Sequence, residues 1–376
     1  MKWMIPINQL DAVQTRVIEE ILENLGSDHL VKGFAGSGKT IVLTHVLERL
    51  AAGSKRRNIC FATHTHALKD MVESGLSAQA LDKITITTFD ALRNTKRPYD
   101  ILVADEVQDI RRRYLDPISE SYLSLIAAAD FDQRIYLDAA NEDEITKLLR
   151  FASEHELQEI HRINDNVFQV ATSILEARVP DEALIRDDAD KTLIYRGATK
   201  LDEMKTVYQE AKRVAAREQP SAVLFPTKKL IKEFIDLNAG FFGWQSPPNL
   251  ESKSYQGDRY SVMNAYLARE KTGLQVFGSG SGEMADSDRR PVTYLMTYHS
   301  AKGLDFPQVF LPHLTSGTRM DPMVQAKDED ERRLFFVAIT RAKRRLFLSY
   351  HGTPHRFIGE IDSKLLTPFK IPKRTY

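Results

Sequence analysis

The sequence predicts an α/β protein of two lobes, each a parallel sheet flanked by helices, and three observations predict it. The chain has 376 residues, enough for two ordinary domains with separate cores. Short apolar runs alternate with amphipathic helical patterns, the signature of parallel strands connected through helices. Finally, Gly33-Phe-Ala-Gly-Ser-Gly-Lys-Thr40 follows an apolar run and opens a helical one, the strand–loop–helix context of a phosphate-binding loop.

In the first lobe, taken as residues 1–152, Gln14 to Leu25 has helical spacing and His29 to Phe34 reads as a strand. Thr40 to Leu50 carries apolar residues at Val42, Leu43, Val46, Leu47 and Leu50, one face of a helix. Further strands are expected at Asn58 to Ala62, Ile84 to Thr87, Ile101 to Ala104 and Arg134 to Leu137. The second lobe, taken as residues 153–376, repeats the alternation. Its strands are expected at Thr192 to Tyr195, Ala222 to Phe225, Val292 to Met296, Gln308 to Leu311 and Arg345 to Ser349. Residues 238–290 read as a small irregular insertion, with Gly278-Ser-Gly-Ser-Gly282 as a flexible loop. Function is expected at the carboxyl ends of the strands.

Composition narrows the class. Hydrophobic residues make up 42% and charged residues 28%, the balance of a globular protein. The single Cys60 excludes an internal disulfide framework. No apolar run approaches a membrane span or a signal peptide, so a cytoplasmic protein without membrane contact is expected. Lysine plus arginine equals aspartate plus glutamate, 52 each, so any polyanion site must be a local groove. Basic runs at Lys55-Arg-Arg57, Arg111-Arg-Arg113 and Lys343-Arg-Arg345 each suit a solvated face as well as a phosphate contact.

The loop alone says that a triphosphate is held. Its glycines, Gly33, Gly36 and Gly38, let backbone N–H groups converge on phosphates beside Ser37, while Lys39 reaches the outer phosphates and the Thr40 hydroxyl faces Mg2+. Leu102-Val-Ala-Asp-Glu-Val-Gln-Asp109 places an acidic pair directly after an apolar strand. Asp105 there would hold the metal and Glu106 would accept the proton of an attacking water. Both features are common to kinases, GTPases, transporters and helicases. What separates these is the late pair Thr297-Tyr-His-Ser-Ala-Lys-Gly-Leu-Asp-Phe306 and Val337-Ala-Ile-Thr-Arg-Ala342. A small-molecule kinase leaves that pair unexplained.

With these stretches the chain resembles a superfamily 1 helicase of the UvrD/Rep/PcrA type, in the family's motif order through nearly its whole length. The resemblance implies two tandem RecA-like lobes, ATP and Mg2+ as ligands, and single-stranded DNA or a single-strand/duplex junction as partner. Leu10-Asp-Ala-Val-Gln14 resembles the motif whose glutamine reads adenine, here Gln14. Ala62-Thr-His-Thr-His-Ala67 and Thr87-Thr-Phe-Asp-Ala-Leu92 resemble two motifs that touch the DNA backbone, which singles out Thr63, His64, Thr88 and Phe89. His299 is the corresponding candidate in the second lobe. Leu157-Gln-Glu-Ile-His-Arg162 resembles the motif whose arginine reaches the γ-phosphate; His161 stands there in place of an adenine-stacking tyrosine. The late pair implies a nucleotide role for Gly303 and Asp305 and a second arginine finger, Arg341. Phe61, Tyr298 and Trp244 join Phe89 as candidates for base stacking, with core packing as the competing role.

Departures from the family are also visible. Its third motif, Gly-Asp-x-x-Gln, is matched by Leu137-Asp-Ala-Ala-Asn141, which assigns the nucleotide contacts to Asp138 and Asn141. Only Arg93 to Asp100 separates Leu92 from the next strand, leaving no room for the family's first accessory domain. The expected function is an ATP-driven single-stranded DNA translocase or helicase, with 3′ to 5′ polarity from the late motifs. The rival is a nucleotide-dependent switch that binds DNA or a partner such as a nuclease without unwinding, supported by the missing accessory domains and the altered third motif.

Overall fold

The computed structural model describes residues 4–92, 98–176, 185–186, 191–249, 259–278, 286–323 and 325–371, with 160–162 and 185–186 described in backbone alone. It divides into two units. The first lobe comprises residues 2–162 and 177–186, the second 163–176 and 187–376.

The first lobe holds six strands: β1 His29–Gly33, β2 Ile59–Thr63, β3 Ile84–Thr88, β4 Tyr99–Ala104, β5 Tyr122–Ala129 and β6 Ser153–Leu157. They form one sheet in the order β3-β2-β4-β5-β1-β6, every pair parallel. β2 is buried at all five positions, the continuous apolar run expected of a strand covered on both faces. The helix Lys39–Ala52 follows β1, and most of its side chains are buried. Parallel strands reach their neighbours only through such crossovers, which is why sequence periodicity switches between strand and helix throughout.

Two expectations are corrected here. The strand placed at Arg134 to Leu137 is an irregular segment, held where Asp109 Oδ1 accepts the Ile135 N–H at 3.3 Å. The fourth interior strand is β5 instead. Its Leu-Ile-Ala-Ala-Ala129 end is buried, but alanine lacks the β-branched signal on which strand assignment leans. The lobe boundary also moves, because β6 pairs with β1 from His29↔Ser153 to Gly33↔Leu157 and completes the first sheet. Its Ser-Glu-His-Glu-Leu sequence is that of a charged edge strand, which deters pairing with other chains and carries little apolar signal.

Two short strands, β7 Ile160–Asn164 and β8 Ile185–Arg186, belong to neither large sheet. The second lobe contains β9 Thr192–Gly197, β10 Ser221–Phe225, β11 Leu274–Val276, β12 Thr293–Thr297, β13 Phe306–Leu311, β14 Ala342–His351 and β15 Leu366–Pro368. Their order is β11-β12-β10-β13-β14-β9-β15, again with every pair parallel. The five expected strands are the five interior ones. Residues 238–290 are more regular than expected: the helix Lys228–Phe242 runs into them, and the helix Arg259–Arg269 leads to the edge strand β11. Most of the glycine-rich loop at 278–282 lies outside the described residues.

Candidate nucleotide site and the fate of the nucleic-acid candidates

Sheet order alone assembles the site. β4, β5 and β1 are neighbours, so the segments after their carboxyl ends, 105–109, 130–133 and 33–40, are brought together where ligands of open parallel sheets bind.

The phosphate loop is set by its own hydrogen bonds. Gly38 has φ +90°, and a Cβ there would lie 2.4 Å from Gln14 Nε2. A Cβ on Gly33 would stand 2.5 Å from Ser37 Oγ, so both positions need glycine for space and Gly38 for conformation too. Gln14 is committed to this loop: its Nε2 donates to Ser37 O at 2.9 Å, and its Oε1 accepts the Asp11 N–H at 3.3 Å. Gln14, expected to read adenine, is buried and braces the loop, held by the capping box it forms with Asp11. Lys39 Nζ donates to Gly33 O at 2.7 Å and Phe34 O at 3.2 Å. It also stands 3.8 Å from Asp130 Oδ2.

The acidic segment meets the loop directly. Thr40 Oγ1 donates to Asp105 Oδ2 at 2.7 Å, and Asp105 is fully buried. Burial, reinforced by the neighbouring Glu106, pushes the Asp105 carboxyl up from its ordinary range. A hydroxyl and a carboxylate side by side are hard oxygen donors, and a bound dication would offset that desolvation. Ser37 Oγ is enclosed beside Gly33 without a hydrogen-bond partner. The residues present therefore fit a Mg2+–triphosphate, with Thr40 and Asp105 as the oxygen donors that would hold the metal. Glu106 adopts φ +59°, a strained conformation of the kind that concentrates at functional sites. Its Oε2 accepts from Gln108 Nε2 at 2.5 Å, while Gln108 Oε1 accepts the Asp130 N–H at 3.1 Å.

Asp130 and Gln133 are the site residues that sequence reasoning missed. Both are buried, and Gln133 Nε2 donates to Asp130 Oδ2. Burial raises the Asp130 carboxyl, and the nearby Lys39 opposes that rise. Ala129-Asp-Phe-Asp-Gln133 keeps the Asp-x-x-Gln spacing of the family's third motif, with Ala129 for its glycine. The signal was present but hidden behind the misplaced strand. Asn141 instead caps the helix Glu142–Leu148, accepting the Glu144 N–H at 2.8 Å in a capping box. Asp138 is exposed and pairs with Arg111 at 3.4 Å. The two assigned contacts are thus a helix cap and a surface ion pair.

The nucleic-acid candidates fare unevenly. Thr63 and Thr88 are register partners at the ends of β2 and β3, but Thr63 is fully enclosed and Thr88 nearly so. Phe89 is 1% exposed and belongs to the core with Leu92 and Tyr114. Phe61 and Tyr298 are equally enclosed; all three aromatics fill the interior and cannot stack on a base without leaving it. Trp244 packs against Phe242 and Tyr208. His64 is half-buried, its ring 4.1 Å from that of Tyr136. His299 sits in a short helical turn after β12; burial, then Lys302, pushes its imidazole down to about 4.

In the second lobe, Gly303 takes φ +78° before β13. Arg341 is buried just before β14, its guanidinium donating to Val337 O at 2.9 Å, Leu304 O at 3.2 Å and Thr340 Oγ1 at 3.1 Å. Asp305 Oδ1 stands 3.7 Å from its Nη1. The side chains of His161 and Arg162 lie outside the described residues.

A phosphate loop, a metal-binding pair and a buried Asp-x-x-Gln on three adjacent parallel strands define a P-loop nucleotide-binding protein. Residues 9–193 match a model described as an AAA domain, and residues 279–353 one described as the UvrD-like helicase C-terminal domain. DNA helicase II of Escherichia coli is 36% identical over 107 residues, which are 24% of this chain and 15% of that protein. ATP-dependent DNA helicase PcrA of Leuconostoc citreum is 48% identical over 88 residues, 19% of this chain and 12% of its own. For ATP-dependent DNA helicase UvrD1 of Mycobacterium bovis the values are 45% over 104 residues, 22% and 13%. The matches thus span less than a fifth of each relative's length. Residues 279–353 are thus similar to the carboxyl-terminal domain of UvrD-like helicases. Among the described residues, no helix is long and apolar enough to cross a membrane.

Proposed function

We propose that the chain is an ATP-driven translocase on single-stranded DNA, a helicase with 3′ to 5′ polarity. The observation that carries this reading is the convergence of Lys39, Thr40, Asp105, Glu106, Asp130 and Gln133 at three adjacent strand ends, in a chain whose residues 279–353 match the UvrD-like C-terminal domain. Lys39 holds the outer phosphates, exchanging the carbonyls of Gly33 and Phe34 for phosphate oxygens. Bound Mg2+, on Thr40 and Asp105, would neutralise charge on the β- and γ-phosphates. Glu106 accepts the proton of the attacking water as its oxygen bonds to the γ-phosphorus and the bond to the β-phosphate oxygen breaks. Gln133 and Asp130, beside Lys39, sense the γ-phosphate. Arg162 and Arg341 supply cations to the transition state.

Of the two features that favour a non-unwinding switch, the altered third motif weighs less, since Asp130 and Gln133 keep the Asp-x-x-Gln spacing, while the missing accessory domains still favour it. The test is ATP turnover by the purified chain with and without single-stranded DNA, at several salt concentrations, with Lys39→Ala as control. Stimulation by DNA that the control lacks is expected. Turnover indifferent to DNA at every salt concentration would defeat the proposal. Nucleotide-dependent affinity without net movement along a labelled strand would restore the switch.

A further inference from the structure

Three side chains of the second lobe, none of them part of the nucleotide chemistry, meet at the carboxyl rim of its sheet. Glu203 lies in the first turn of the helix Lys200–Val214, His313 just beyond β13, and His351 at the end of β14. β13 and β14 are adjacent, so topology places the two histidines side by side, their rings 5.2 Å apart. One donor atom from each of the three residues falls within 4.8 Å of the others.

Glu203 is fully buried and elaborately held. Its Oε1 accepts the His313 N–H at 2.7 Å and the Ser349 hydroxyl at 2.8 Å; its Oε2 meets His351 Nδ1 at 2.6 Å. A carboxylate oriented by second partners is the arrangement that fixes metal ligands. A helix-to-sheet ion pair between Glu203 and His351 would explain those two residues alone. It leaves His313 unexplained: a non-glycine residue at φ +64°, whose Nδ1 is enclosed with no hydrogen-bond partner. The nearby Lys200 is offset by Glu233 at 2.5 Å.

We propose that Glu203, His313 and His351 bind one divalent transition-metal ion of the zinc class, with the remaining coordination position open to solvent. Two imidazoles and one carboxylate are a donor set that zinc accepts, at about 2.0–2.2 Å from each ligand atom. Ligand atoms around such an ion stand roughly 3.3 Å apart, so the Glu203–His351 contact opens slightly. Coordination through His351 Nδ1 requires the neutral tautomer that carries its proton on Nε2.

The test is calorimetric titration of Zn2+ alone into the metal-free full chain, with Co2+ as a visible reporter of coordination, for wild type, His313→Asn and His351→Gln. Asparagine tolerates the positive φ of position 313, and both variants leave the Glu203 carboxylate in place, avoiding the folding risk of replacing it. One Zn2+ per wild-type chain is expected, bound about 10-fold or more weakly by each variant, with a Zn2+-induced rise in Tm in wild type only. Overturning results are no uptake by wild type at micromolar Zn2+, or equal uptake by both variants, which marks adventitious surface binding. ATP turnover is not the readout, so failure here leaves the proposed function standing.

Discussion

Two glutamine-and-asparagine positions separate the competing assignments of the third motif. Gln133→Ala is expected to lower DNA-stimulated ATP turnover at least about 10-fold, because it removes a donor beside Asp130 and Lys39 that phosphoryl transfer uses for positioning. Asn141→Ala is expected to leave turnover unchanged while costing about 0.5–2 kcal/mol of stability, the ordinary value of a helix N-cap. Steady-state kinetics and thermal melts on the two variants check both statements. His299 offers a pH test. Its folded pKa is depressed to about 4 by burial against an unfolded value near 6.5, so between those values the unfolded chain binds more protons. Stability attributable to this residue is then fully present above about pH 6.5 and lost as pH falls toward 4. Melts of wild type and His299→Gln should diverge over that window, the variant losing less.

At the scale of elements, the core aromatics and the strand-end loops make separate predictions. Phe89→Ala opens a cavity beneath the turn after β3 and is expected to cost about 3–5 kcal/mol in chemical denaturation; a variant that weakens DNA binding at full stability would restore the stacking role. Gln108 spans two loops, from Glu106 Oε2 to the Asp130 N–H. Gln108→Ala is expected to leave ATP affinity within a few-fold and to lower turnover about 10-fold or more, since the proton acceptor loses its orientation. Single-turnover and nucleotide-binding measurements separate the two. The elements legible in the sequence were those with an apolar or β-branched run: β1, β2, β3, β4 and the five interior strands of the second sheet, and the phosphate loop read as spacing. The rest was illegible for physical reasons. β5 is alanine-rich, β6 is a charged edge, and β11 and β15 are three residues each, too short to show a period. Arg134 to Leu137 imitated a strand because Ile135 is buried amid partly covered neighbours. From that one displacement followed the misassignment of Asp138 and Asn141, and motif spacing preserved at Asp130 and Gln133 went unread.

For the molecule as a whole, the proposed activity requires groups from both lobes, and Arg341 is the second-lobe cation whose surroundings are defined. Arg341→Ala is expected to reduce DNA-stimulated turnover about 10³-fold or more while ATP binding changes little. Lysine should not rescue it, since a point charge lacks the planar fork. Stopped-flow hydrolysis with parallel nucleotide titration checks the split. Gln14, by contrast, acts through the loop it braces, so its replacement should weaken binding of any nucleoside triphosphate alike, whatever the base. The company Arg341 keeps has one more implication. Its guanidinium already donates to the carbonyls of Val337 and Leu304 and to the Thr340 hydroxyl, with Asp305 Oδ1 3.7 Å away, so a phosphate that recruits it must offer more negative charge than these neighbours together. Under the proposed activity, fresh fuel, with its densely anionic tip, would meet that condition better than the spent diphosphate, and the residue would serve as a gauge that tells one from the other.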